Sequence, residues 1–250
     1  MKRYYYLILL GIFVLSMNAC KKEGELVIKP IRSGQPISYK GFITGDTLEQ
    51  YFDGKKIREL YGRVIYGGRI IFDKEGPITM ELKKKGDTKT LYTVNIEQGM
   101  VGDPPPITFF YDGVQVKKTY EYPDAKPGIE QVAFYFDFPA DMPVDIVYGD
   151  ISGDINAVQY LARNVKPKQW GAFMSIAPLD GGDLYIFLLK AGKKEYLINN
   201  NFEESYIACN LPTTGGWYQG GGVQSMFVRM YVNNDVKSIA AENLVDTFPK

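Results

Sequence analysis

The stretch Gly76-Pro77-Ile78-Thr79-Met80-Glu81-Leu82-Lys83-Lys84-Lys85-Gly86 decides the fold class. Its apolar side chains, Ile78, Met80 and Leu82, alternate with polar ones, which is the period of a β-strand with one buried face. Short alternating segments of this kind, separated by turn residues, recur along the 250 residues, which include 19 Tyr, 14 Phe and 26 Gly. The sequence therefore predicts an all-β protein.

The same pattern returns in Gly182–Tyr196, where Gly192 corresponds to Gly86 at an offset of 106 residues (192 − 86). Apolar positions match apolar positions in the two stretches, as an internal repeat requires. We expect two tandem antiparallel β-sandwich modules, residues 37–127 and 128–250. The alternative is that two unrelated hairpins share a common pattern.

Turn dipeptides and strand patterns fill in the expected elements. Asp53-Gly54 and Asp112-Gly113 lie between apolar and β-branched residues and predict hairpin turns. Helix is expected only over 156–163 and 238–244. The predicted strands cover residues 63–66, 69–72, 78–82, 90–96, 131–138, 143–148, 171–177, 183–190, 194–199, 204–209 and 225–232.

The first twenty residues predict export. Two cations precede the apolar run Tyr4–Leu15, which is too short to span a bilayer, and Ala19 stands directly before Cys20. This segment resembles a bacterial lipoprotein signal, which implies acylation of Cys20, a lipid anchor in the membrane and a tether over residues 21–36. The charged start of that tether also resembles the leader of surface-exposed lipoproteins. We expect an outer-membrane lipoprotein at the cell surface, or otherwise facing the periplasm. The alternative is ordinary cleavage near Ala19, which releases an untethered protein.

Charge composition argues against nucleic acid as a partner. Without residues 1–20 the chain has 27 Lys and Arg against 29 Asp and Glu, and both signs are interleaved. Binding to phosphates needs a concentrated basic face, which this sequence lacks.

The chain contains no histidine, and its cysteines are Cys20 and Cys209. The absence of imidazole removes the Ser-His-Asp and Cys-His mechanisms and the common zinc sites. Acylation of Cys20 would leave Cys209 without a disulfide partner, and we expect a buried, inert thiol there. Of the enzyme classes, a carboxylate-dependent hydrolase stays open, because it needs only two suitably spaced acids.

A family resemblance follows from three stretches: Pro139–Tyr148, Leu161–Trp170 and Asp183–Tyr196. They resemble the repeats of DUF4397-like domains of the immunoglobulin or transthyretin type, which occur in bacterial envelope lipoproteins. The resemblance implies β-sandwich modules without a cofactor and without catalytic residues.

One segment is a candidate ligand-binding loop. In the stretch 215–222, Trp217, Tyr218 and Gln219 stand among glycines, which let the backbone display them on a loop. An aromatic ring with a polar tip suits a sugar or a protein partner. Trp170 is a second candidate for the same surface. Alternatively, Trp217 closes one end of the sandwich and Trp170 packs in its core.

The segment 149–156 is a candidate metal site. Asp150, Ser152, Asp154 and Asn156 offer oxygen atoms at every second position, a spacing that Ca²⁺ favours. The alternative is a polar turn whose side chains bind local backbone amides.

Together these patterns predict a non-catalytic envelope or cell-surface lipoprotein that acts as a binding, adhesion or accessory module, with a glycan or an envelope or extracellular protein as partner. One alternative is a carbohydrate-binding lipoprotein that uses the aromatics near Trp217. Another is a subunit of a surface fibre, in which residues 25–32 or 223–232 act as a donated strand.

Overall fold

The computed structural model describes Ile31 and residues 33–99, 105–233 and 236–250. Cys20, the predicted signal 1–20 and the first part of the predicted tether lie outside the described residues. Within the described ranges the protein is all-β, as predicted, and holds no α-helix. None of the helical structure described is long and apolar enough to cross a membrane.

The first sheet is built from residues 33–117 and has six strands. They are β1 (Ser33–Phe52), β2 (Lys55–Phe72), β3 (Ile78–Lys84), β4 (Thr90–Ile96), β5 (Ile107–Tyr111) and β6 (Val116–Lys117). Their order is β4-β3-β1-β5-β6, and β2 pairs with β1.

A bend in the long β1–β2 hairpin curls this sheet around its own core. The register of β1 shifts between Ile43 and Leu48, and Gly45 there has a φ of 71°. On one side of the shift β1 pairs with β5 in parallel, and on the other it pairs with β3. On β2 the guanidinium of Arg58 lies 3.7 Å from the centre of the Tyr66 ring, although eight residues separate them. The concave face encloses a core to which β1, β2, β3 and β5 all contribute.

Residues 130–243 form two further sheets. Their strands are β7 (Glu130–Asp137), β8 (Val144–Gly149), β9 (Gln159–Val165), β10 (Met174–Ile176), β11 (Tyr185–Lys190), β12 (Tyr206–Ile207), β13 (Val223–Asn233) and β14 (Val236–Asn243). The second sheet has the order β10-β7-β13-β14, and the third β12-β11-β8-β9. Phe134 and Phe136 of the second sheet share one core with Ile146 and Leu188 of the third, so the two sheets pack face to face.

An aromatic junction joins the first sheet to the second. Phe42 of β1 is fully buried, with its ring centre 4.9 Å from that of Phe227 on β13 and 5.6 Å from that of Tyr135 on β7. The amide of Gly45 donates a hydrogen bond of 2.8 Å to the Tyr135 hydroxyl. We call this cluster the aromatic junction; its members are Phe42, Phe110, Tyr120, Tyr122, Tyr135, Trp170, Phe227, Leu244 and Phe248.

Several predictions of local structure are wrong. Residues predicted as helix, 156–163 and 238–244, fall largely in strands β9 and β14, which pair with β8 and β13. Pairing in a sheet outweighs the helix propensity of residues such as those in Ser238–Glu242. Residues 194–199 form no strand, and only Tyr196 makes a bridge, to Leu189.

The predicted antiparallel pairing is also incomplete, because β1–β5 and β7–β13 are parallel. A parallel pair needs a long connection, and its register cannot be read from a local turn.

The fibre alternative predicts that residues 223–232 are a strand donated to another subunit. These residues lie in β13, which is paired on both edges, with β7 and with β14. Residues 25–30 lie outside the described part.

The two stretches aligned at an offset of 106 residues have the same turn geometry. Each turn closes with a backbone hydrogen bond, contains a glycine with positive φ, and is followed by a cross-strand pair at the same offset. The hydrogen bonds run from Asp87 to Lys84 and from Lys193 to Lys190, the glycines are Gly86 and Gly192, and the pairs are Lys83–Thr90 and Leu189–Tyr196.

Candidate binding groove beside Trp217

Trp217 lies on the surface, with 80% of its area exposed. It is carried by the glycine-rich loop 215–222, in which Gly220 and Gly221 have φ values of 80° and 94° that favour glycine. Its ring centre is 5.6 Å from that of Tyr218. Of the two alternatives for Trp217, the structure shows display on a loop.

The buried carboxylate of Glu130 anchors this loop. Glu130 begins β7 and accepts hydrogen bonds from the Tyr218 hydroxyl (2.5 Å), the Gly222 amide (2.8 Å) and the Gln224 side chain (2.7 Å). Burial and the neighbouring carboxylate raise the pKa of Tyr218 well above its usual value, so the hydroxyl keeps its proton. The loop that carries Trp217 is therefore held at its middle and at its end.

Gln219 braces the loop from within. Its side-chain nitrogen donates to the carbonyl oxygens of Gly216 (2.9 Å) and Thr213 (3.3 Å). These bonds stabilise the turn at whose tip Trp217 stands. The Gln219 amide nitrogen is thus engaged by the backbone of its own loop.

A groove of about 390 Å³ opens beside this loop, between the second and third sheets. Trp217 and Tyr218 form one wall, and Tyr185 and Tyr206, with ring centres 5.7 Å apart, stand on strands β11 and β12. The remaining lining residues are Asp183, Leu184, Ala208, Cys209, Asn210, Leu211, Thr213, Gln224, Met226, Ala241 and Asn243.

The polar groups of this groove have the character of a binding site. Asp183 is the only charged residue among those that line it, and Glu130 places a second negative charge behind Tyr218. Within the described part of the chain, the side chains of Asp183, Tyr185 and Tyr206 make no hydrogen bond or ion pair. The groove therefore offers free hydrogen-bonding groups and repels anions.

Cys209 lines the groove but is a poor nucleophile. It is half-buried, and burial together with the negative charge of Glu130 raises the pKa of its thiol to about 12. Because the thiolate is the reactive form, this thiol is unreactive near neutral pH.

The other aromatic candidate, Trp170, lies elsewhere. It belongs to the aromatic junction, where its ring centre is 5.5 Å from that of Tyr135, 5.6 Å from that of Phe42 and 5.8 Å from that of Tyr120. The structure does not bring Trp170 into the groove beside Trp217.

The candidate metal segment forms a series of polar turns. Asp150 accepts hydrogen bonds from the amide and hydroxyl of Ser152, and Asp154 accepts one from the amide of Asn156. The side-chain oxygen of Asn156 accepts one of 3.3 Å from Lys194. In the described ranges, no group of three or more His, Cys, Asp or Glu residues is placed to hold a metal ion. The geometry matches the alternative of local side-chain to backbone bonds.

Sequence patterns missed two residues that line the groove and the buried carboxylate that anchors its loop. Tyr185 and Tyr206 are ordinary strand tyrosines in the sequence, and only the packing of the two sheets places them on one rim. Glu130 lies near the start of the predicted module 128–250, with no local signal that it will be buried.

No protein-family model matches the chain, and no curated protein matches it closely enough to count as a relative.

Proposed function

We propose that this chain is a non-catalytic lipoprotein of the bacterial envelope that binds carbohydrate in the groove beside Trp217. The observation that carries the proposal is the exposed Trp217 on an anchored loop, at the rim of a groove with unpaired polar groups. Binding of a glycan would serve the adhesion or accessory role that the sequence predicts.

The groove has the chemistry that a sugar requires. An indole ring offers a flat apolar face on which the C–H groups of a pyranose can stack. The hydroxyls of Tyr185 and Tyr206 and the carboxylate of Asp183 can exchange hydrogen bonds with sugar hydroxyls, and they have no partner in the described residues that would compete. The charge of Asp183 favours neutral glycans over sulfated or sialylated ones.

Because the loop is anchored, less conformational entropy is lost when a ligand binds. Glu130 and Gln219 hold the loop before a ligand arrives, so little conformational freedom remains to be lost. This favours a preformed site.

The membrane anchor rests on the sequence. The cationic start, the apolar run and Ala19-Cys20 support acylation at Cys20, with the tether 21–36 between the membrane and β1. We propose an outer-membrane location with the groove turned away from the lipid.

We further propose that the chain consists of two tandem β modules, 37–127 and 128–250. All strands of the first sheet lie before residue 118, and all others after residue 129. The matching turns at Gly86 and Gly192 support a repeated origin. The DUF4397-like resemblance stays a prediction.

Binding is tested on a glycan array, with affinities for bound glycans measured by titration calorimetry. The parent protein should bind neutral glycans, and Trp217→Ala should lose at least about tenfold in affinity, because the stacking contact between the indole ring and the sugar is removed. Tyr61→Ala is the matched control, since Tyr61 is 70% exposed but lies on β2 of the first sheet. Absence of binding by the parent, or equal binding by Trp217→Ala, would contradict the proposal.

Anchoring is tested separately by labelling with radioactive palmitate. The parent should incorporate the label and Cys20→Ser should not. Cleavage by protease added to intact cells would place the protein on the outer surface.

A further inference from the structure

Strand β2 has an edge that is unpaired within the described part of the chain. It pairs with β1 through most of its 18 residues, from Phe52–Lys55 to Ser33–Phe72, and with no other described strand. Proteins normally protect a long free edge, because its backbone groups can pair with another chain.

The side chains of β2 are unusually apolar for an exposed strand. Twelve large apolar side chains are exposed in the described residues, and five of them belong to this one strand. They are Ile57, Tyr61, Ile65, Tyr66 and Ile71. A concentration of this kind marks an interaction surface.

The bend in β2 limits where a straight partner strand can pair. Gly62 has a φ of 58°, and Arg63 beyond it forms an ion pair with Glu242 of β14. From residue 63 to residue 72 the register with β1 runs without a shift. This regular half of β2 carries Ile65 (59% exposed) and Ile71 (47% exposed) on the face opposite the first-sheet core.

We propose that a second copy of this chain pairs antiparallel along this half of β2, about a two-fold axis at Gly68. Directly opposed residues of an antiparallel pair point to the same face of the sheet. Core-facing residues of the two copies therefore lie on the same face only if the axis passes through a residue, and not between two residues. The interface is then isologous, so each contact occurs twice.

Charge and side-chain type distinguish between two-fold axes placed at neighbouring residues of β2, from Tyr66 to Arg69. An axis at Tyr66 would place Arg63 opposite the partner's Arg69, and an axis at Arg69 would place that arginine opposite itself. Like charges directly opposite one another destabilise a sheet. Both registers are therefore disfavoured.

The two remaining registers differ in their apolar pairs. An axis at Gly67 places Ile65 opposite the partner's Arg69. An axis at Gly68 places Ile65 opposite the partner's Ile71, and Arg69 opposite the partner's Gly67. Of these four registers, only the axis at Gly68 pairs the two exposed isoleucines with each other and places no arginine opposite an arginine or an isoleucine, so β2 is complementary to itself there.

Disulfide cross-linking in the full-length protein, in the membranes of cells that produce it, tests this pairing. Ile65→Cys with Ile71→Cys should give a covalent dimer on a non-reducing gel after mild oxidation, since directly opposed positions in a sheet lie within disulfide reach. The double variant should give about tenfold more dimer than the parent chain or either single variant, which provide the background of the native cysteines.

A second pair of cysteine substitutions tests the register of the two strands. Ile65→Cys with Arg69→Cys should stay at the background level, and a stronger dimer from this pair than from Ile65→Cys with Ile71→Cys would overturn the proposed axis. A cross-link of either pair to a protein of different mass would show that another partner occupies the edge and would also overturn the proposal.

Light scattering of the purified full chain in detergent provides a measurement that does not depend on cysteines. The parent should have the mass of two chains, and Ile65→Glu should have the mass of one, because the carboxylate would face the partner's Ile71. A monomeric parent protein, together with no covalent dimer from Ile65→Cys with Ile71→Cys, refutes the proposal, whether or not the parent binds glycans.

Discussion

The Tyr218 hydroxyl donates a hydrogen bond of 2.5 Å to the fully buried carboxylate of Glu130. This contact links the first residue of β7 to the loop that displays Trp217, almost ninety residues later in the chain. Because Gly222 and Gln224 donate to the same carboxylate, the loop depends on one acidic side chain.

Glu130→Ala should therefore lower both stability and ligand affinity. It removes the acceptor of three hydrogen bonds, and only the Gln224 nitrogen keeps another acceptor, the Asn210 carbonyl oxygen. We expect a loss of about 3 kcal/mol in the free energy of unfolding, measured with urea. Tyr218→Phe is the matched control, which removes one bond and should cost about 1 kcal/mol. Equal urea midpoints for the parent and Glu130→Ala would show that the carboxylate does not hold the loop.

The two tryptophans should report different environments in fluorescence. Trp170→Phe leaves the exposed Trp217, whose emission should be red-shifted and readily quenched by iodide. Trp217→Phe leaves Trp170 in the aromatic junction, whose emission should be blue-shifted and protected. Replacement of the exposed ring should change the free energy of unfolding by less than about 0.5 kcal/mol. Equal quenching of the two variants would contradict the placement of Trp217.

Alkaline pH should destabilise the protein through Cys209. Its thiol has a pKa of about 12 in the fold, against 9.0 ordinarily, so the unfolded chain releases its proton first as the pH rises. This contribution to stability is complete below pH 9 and is lost as the pH rises towards 12. We expect a fall of less than about 1 kcal/mol per pH unit in the parent between pH 9 and pH 10.5, measured by urea unfolding.

Cys209→Ala provides the comparison for this pH series. Its stability should fall less steeply, with the remaining slope due to buried tyrosines such as Tyr135, whose pKa burial raises to about 12. The same slope in both proteins would assign the effect to the tyrosines alone.

Phe42 should be the most sensitive residue of the aromatic junction. Phe42→Ala removes a fully buried ring that contacts both the first and the second sheet, and should cost about 3–5 kcal/mol. Phe42→Leu keeps most of the volume and should cost less. Calorimetry of Phe42→Ala should also separate one thermal transition into two, because the first sheet is then coupled weakly to the others. A single transition, lowered as a whole, would mean that other contacts couple them.

Much of the fold could be predicted because its signals are local. The alternation in Ile78–Lys84 and the turn at Asp53-Gly54 each depend on neighbouring residues, and both are found as expected. Gly67-Gly68, by contrast, separates two predicted strands in the sequence but lies inside the continuous strand β2. There the long pairing with β1 outweighs the weak strand propensity of glycine.

Only the loop of the site was predictable. Trp217 and Tyr218 stand out because glycines surround them, whereas Tyr185 and Tyr206 join them only through the packing of two sheets. Trp170 is the opposite case, a candidate that distant contacts remove from the site. Its sequence context suggested a choice between surface and core, and contacts with residues as distant as Phe42 decide for the junction.

The parallel pairing of β7 with β13 has a consequence for synthesis. β7 is buried at seven successive residues, Glu130–Phe136, and its neighbour begins with Val223, which pairs with Gln131. As the chain leaves the ribosome, about ninety further residues must be made before that apolar strand can pair with its parallel neighbour. Phe248, which follows the first residue of β7 by 118 residues (248 − 130), then completes the cluster around Phe110. A nascent chain that stops before Phe248 would therefore expose aromatic surface, and would be a substrate for chaperones and proteases.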